Sequence, residues 1–145
     1  MVAVANSQAQ SFTINSLTNG AAKSEWFTNS NAIRILNMTV VSEAAIAAHS
    51  TAVYKVELIT GSTVIGKVTN DSDESTTTAV TGTVGIDSAL YAAKTTRSIA
   101  FTQAGVNSDG AYENAADASL EIKASNDTGG TITDVTIAIE YSVSD

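Results

Sequence analysis

The chain has no cysteine and no proline, and its 145 residues include one tryptophan, three phenylalanines and four tyrosines. Without cysteine, no disulfide framework can support the fold. With no cysteine and one histidine, His49, the chain cannot assemble a zinc ligand set. Cations are also few: seven Lys and Arg stand against fifteen Asp and Glu, for a net charge of −8. They are scattered, at Lys23, Arg34, Lys55, Lys67, Lys94, Arg97 and Lys123. No basic stripe is available for a phosphate backbone, so nucleic acid is not an expected partner. The acidity reads as solubility. No stretch approaches the roughly 20 apolar residues of a helical membrane span, so a membrane is not an expected partner either. The opening, MVAVANSQAQ, lacks a basic region and a long apolar core and does not read as a secretory signal.

What is present is an ordinary apolar fraction, 43%, made mostly of Ala, Val and Ile. That suffices for the core of one domain. Serine and threonine are abundant, as on a two-layer β fold whose outer faces meet water. Period-two alternation is the dominant pattern. It runs through SFTINSL, AVYKVELIT, AVTGTVGI, RSIAFTQ, DASLEIKAS and DVTIAIEYSV. Gly61-Ser62, with glycine first, suits a two-residue type II′ hairpin that sets Ile59 opposite Val64 and Leu58 opposite Ile65. Gly129-Gly130 reads as the turn of a closing hairpin. In AIRILNMTVV the parity changes: Ile33 and Ile35 share one face, and Leu36, Met38 and Val40 take the other. A bulge near Ile35–Leu36 re-phases such a strand, although burial on both faces produces the same pattern.

Helix signals are confined to SEAAIAAHS and DSALYAAKT, with Ser42 and Asp87 as N-cap candidates. Each is too short to be stable alone and reads as a turn within a loop. NDSDESTTT and AGVNSDGAYENAAD read as surface loops. KVTND and KASND look alike, but five residues do not establish a repeat. About eight strands without helical crossovers predict an all-β, antiparallel sandwich, best matched by an eight-stranded jelly roll. An immunoglobulin-like sandwich is the alternative, without the Cys and Trp marks of that fold.

The residues of catalysis are sparse. His49 could serve a serine nucleophile only without a G-x-S-x-G elbow, and it reads as a loop histidine. Asp71, Asp73 and Glu74, or Asn107, Asp109 and Glu113, are oxygen donors, but neither group has the twelve-residue calcium-loop pattern. Trp26-Phe27 is the sole adjacent ring pair, with Glu25 beside it. It reads as core, and as a sugar platform only if exposed. Asn37, Asn70 and Asn126 head glycosylation-type triplets that read as chance in a chain rich in Asn, Ser and Thr. Catalytic, cofactor and metal residues are therefore expected to be none, and the protein is not expected to be an enzyme.

Four features together resemble the head decoration (cement) proteins of tailed bacteriophages. They are the polar, Ala-rich lead MVAVANSQAQSFTI, the tight hairpin VELITGSTVIGKV, the Cys-free make-up and the closing SLEIKASNDTGGTITDVTIAIEYS. The resemblance implies a jelly-roll domain over 11–145 with an N-terminal arm over 1–10. It implies a location on the outer surface of the virion capsid and two partners, the major capsid protein and itself, as a homotrimer. It also implies clamping of neighbouring capsid subunits. Implied contact residues are Met1, Val2 and Val4 of the arm, with Phe12, Arg34 and Met38; the two-faced strand from Ile33 to Val41 would carry a subunit surface. The competing expectations are a carbohydrate- or receptor-binding domain of a phage tail or fibre, and a bacterial surface adhesin.

Overall fold

The alternating runs form strands that stack as two layers in a computed structural model, which describes residues 7–43, 46, 50–51, 53–70, 97–99, 112–127 and 130–143. Nine strands follow in order: β1 (Ser7–Leu17), β2 (Ala22–Phe27), β3 (Ile33–Ser42), β4 (Val53–Thr60), β5 (Thr63–Thr69), β6 (Arg97–Ile99), β7 (Tyr112–Asn114), β8 (Leu120–Asp127) and β9 (Ile132–Val143). There is no helix among the described residues. One antiparallel sheet has the order β1-β9-β3-β6, with β7 also on β3; the other has the order β2-β8-β4-β5. The protein is an all-β sandwich.

The alternation fills the space between the layers. Ile14, Ile33, Ile35, Met38, Val40, Val135, Ile137 and Ile139 come from the first sheet. Tyr54, Val56, Leu58, Val68, Leu120 and Ile122 come from the second, and all belong to one cluster. These strands form because every second side chain leaves water here, each contributing about 1.5–3 kcal/mol on full burial. Phe27 and Tyr141 join the layers at one end, with ring centroids 5.1 Å apart.

The parity change in β3 is a bulge. Ile35 pairs with Tyr141 and Asn37 with Glu140, leaving Leu36 as the extra residue. It returns Met38 and Val40 to the core face beside Ile33 and Ile35. On the other edge of β3, β7 pairs with Ile33–Ile35 and β6 with Met38–Val40, so the two short strands meet at the bulge.

The β4–β5 hairpin turns at Gly61-Ser62 with φ +59 at Gly61 alone, as a II′ turn requires. Ile59 lies opposite Val64 as expected, but Leu58 lies opposite Gly66 and not Ile65. A second bulge at Ile65 causes this shift and keeps both Ile65 and Val68 in the core. The closing segment is also different from its expected form. β8 and β9 are not a hairpin: β8 pairs with β2 and β4, whereas β9 pairs with β1 and β3. The Gly130 turn carries the chain across the sandwich, because the apolar faces of the two strands are satisfied by facing each other. Ser42 ends β3 opposite Val135, and most of the Ala-rich stretch that it was expected to cap lies outside the described residues.

β2 and β7 were not expected as strands. The strand expected over 79–86, the Ala-rich turn over 87–95 and the acidic loop over 71–78 lie outside the described residues. β1 starts at Ser7, so Ser7–Gln10, part of the segment set apart as an arm, pair with β9.

Candidate functional site

Among the described residues, the outer face of each sheet and the edge of β1 opposite β9 are the broad surfaces. On the outer face of the first sheet, cross-strand rows run through Ser11, Ala138 and Thr39, and through Thr13, Thr136 and Val41. The next row is Ala9, Glu140 and Asn37. Small side chains make this face flat. A hollow of about 230 Å³ on it is lined by Ser7, Gln8, Ala9, Thr39, Ala138 and Glu140.

The outer face of the second sheet is different. One row reads Trp26, Glu121, Ile59 and Val64, and the next reads Ser24, Lys123, Glu57 and Lys67. Trp26 is 63% exposed, the single exposed large hydrophobic side chain among the described residues. Its expected place in the core is therefore corrected. Phe27 takes the inward position, and strand alternation turns Trp26 to water. Ser24 Oγ donates to Glu121 Oε1 at 2.5 Å, fixing that carboxylate beside the indole. The Lys55–Asp127 pair at 3.5 Å also lies on this face, with Asp127 exposed and Lys55 half-buried, and is worth little energetically.

The expected contact residues separate. Met1, Val2 and Val4 lie outside the described residues. Phe12 is half-buried at the middle of β1 and packs against the core rim. Arg34 is half-buried, and its Nε lies 3.0 Å from Glu113 Oε1 across the β3–β7 pair. Met38 is 0% exposed, so its side chain serves the core and not a partner. The structure does not gather these three side chains into one patch.

Of the calcium-loop candidates, Asp71, Asp73, Glu74, Asn107 and Asp109 lie outside the described residues, as does His49; Glu113 is engaged with Arg34. No group of three or more metal-ligating side chains occurs among the described residues. Asn70 and Asn126 are buried and unfit as glycan acceptors. Asn126 Nδ2 donates to Leu17 O at 3.0 Å and Gly130 O at 2.7 Å, joining two chain crossings. Asn70 Oδ1 accepts from Tyr54 N at 2.6 Å. Burial raises the Tyr54 phenol pKa well above its ordinary value.

Sequence reasoning missed the flat outer face of the first sheet. Its signal was the parity opposite to the core residues, occupied in β1 by Ser7, Ala9, Ser11 and Thr13. Comparison of the chain with protein-family models, curated proteins and solved structures returned no match.

Proposed function

We propose that this chain is a jelly-roll decoration protein that lies on the outside of a phage capsid and clamps neighbouring major capsid subunits. The jelly-roll reading is supported by the nesting of the pairs: β1 with β9, β2 with β8, β3 with β6, and β4 with β5. That is one long hairpin rolled into two sheets, with most successive strands crossing between layers. An immunoglobulin sandwich would keep its second strand in the sheet of its first, but here β2 and β1 lie in different sheets.

The observation that carries the functional reading is the flat outer face of the first sheet. Beyond its hollow of about 230 Å³, a surface mainly of Ala, Ser and Thr offers little relief to a small substrate, but it fits closely against another broad surface. Ser7, where the proposed arm joins, lines its hollow. Several modest contacts of this kind act together through avidity. Binding the assembled shell and not its dissociated subunits then stabilises the shell by mass action.

The test is to add the purified chain to expanded heads that lack it, from the phage whose genome encodes it. Co-sedimentation and a raised head melting temperature are expected. A chain that stays in the supernatant and leaves the melting temperature unchanged rejects the reading.

A second reading, a carbohydrate-binding domain of a tail or fibre, is favoured by the exposure of Trp26 beside Glu121. An indole face stacks on sugar rings, and the carboxylate accepts hydroxyl hydrogen bonds. The Trp26→Ala variant separates the two. It keeps head binding under the first reading and loses glycan-array binding under the second.

A further inference from the structure

We propose that the free edge of β1 pairs with the β1 edge of a second copy of this chain, antiparallel and centred on Phe12. Among the described residues, β1 pairs only with β9, so its other side presents an open row of backbone donors and acceptors. The strand is eleven residues long, about 36 Å at the usual rise. Free edges are normally blunted by charge, proline or shortness. SQAQSFTINSL carries none of these. Of the other edges, β2 has six residues with exposed Lys23 and Glu25, β5 has seven and carries Lys67, and β6 and β7 have three residues each, so β1 is the longest and the one without a charge among β1, β2 and β5.

The chemistry of the strand selects a second copy as occupant. The molecule carries a net charge of −8, so two copies meet most cheaply where neither brings a carboxylate. β1 is such a seam. Its Ser, Gln and Thr side chains each donate and accept, so Ser11 can face Thr13 and Gln8 can face Ser16 across a two-fold axis. Full overlap of Ser7–Leu17 puts Phe12 opposite its mate, Ser11 opposite Thr13, Gln10 opposite Ile14 and Ala9 opposite Asn15. Phe12, half-buried in one copy, is then covered by the second copy's ring, a favourable cross-strand pair. The two-fold differs from the three-fold self-association that the resemblance implies. It does not depend on the capsid reading, because it is measured on the isolated chain.

Light scattering behind a sizing column, at tens of micromolar chain, tests the proposal on the 145-residue chain. The expected mass is twice 14.9 kDa. Two variants at exposed positions then test the register. Ser11→Lys with Thr13→Lys puts lysine against lysine twice and is expected to weaken association about tenfold. Ser11→Lys with Thr13→Glu puts lysine against glutamate twice and is expected to preserve it. Thermal melting of both variants by circular dichroism verifies that the sandwich is intact. A wild-type monomer or trimer overturns the proposal, as does equal association by the two variants.

Discussion

Asn126 ties several chain crossings together. Its backbone bonds Gly20 and Ala21, its side chain bonds Leu17 and Gly130, and it is 1% exposed. Asn126→Ala leaves the buried Leu17 carbonyl and the part-buried Gly130 carbonyl without their donor, so a loss of about 1–3 kcal/mol is expected, read by urea unfolding. An unchanged midpoint would contradict the bracing role. Tyr54 sits between Asn126 on β8 and Asn70, which closes β5, and this gives the KVTND and KASND likeness its meaning. The two segments flank β4 in the same register, with Lys67 and Lys123 both opposite Glu57. Sequence displayed the likeness, but burial and the partner strand supply its reason. Burial of the Tyr54 phenol has a pH consequence. Its folded pKa is raised, so its stabilising effect is complete below the unfolded value of about 10 and is lost as pH rises toward the folded value. Melting temperature is expected to fall above pH 10, with a smaller fall in Tyr54→Phe. Identical alkaline profiles would remove Tyr54 as the cause.

Strands were legible in the sequence where one face is buried, because only burial writes alternation into it. β3 illustrates this best: its parity change foretold the bulge at Leu36. β2 shows the limit. It is exposed along nearly its whole length, so AKSEWF carries no apolar alternation, and pairing with β8 alone defines it. The closing hairpin failed for another reason. Two amphipathic strands joined by a Gly turn read the same whether they pair side by side or face each other across a core. The bulge yields a prediction at this scale. Deleting Leu36 leaves Ile35 followed by Asn37 and Met38, a continuous alternation in register with β9, so the variant is expected to fold and melt cooperatively. Deleting Ala138 from β9 inverts one half of a central strand that pairs on both sides, so it is expected to abolish the melting transition. Circular dichroism distinguishes the two, and equal behaviour would contradict the bulge account.

For the whole molecule, the layers, the core and the edges form one system. Nested pairing buries the apolar parity of both sheets and turns the opposite parity outward, as small polar residues on the first sheet and as the Trp26–Glu121 row on the second. Composition foretold the sandwich and its wet faces. It did not foretell which face is flat, because that depends on which strands become neighbours: Ala9 and Ala138 are 129 positions apart in sequence and lie one row apart in the sheet. A broad face of mostly small side chains suits a broad protein surface, and this is why the capsid reading stands ahead of the glycan reading. Electron cryomicroscopy of heads incubated with the purified chain tests that claim most directly. Ordered density of sandwich size is expected on the outer surface, bridging adjacent capsid subunits through the β1-β9-β3 sheet. Bare heads, or density that approaches through Trp26 with the first sheet turned to solvent, would contradict it.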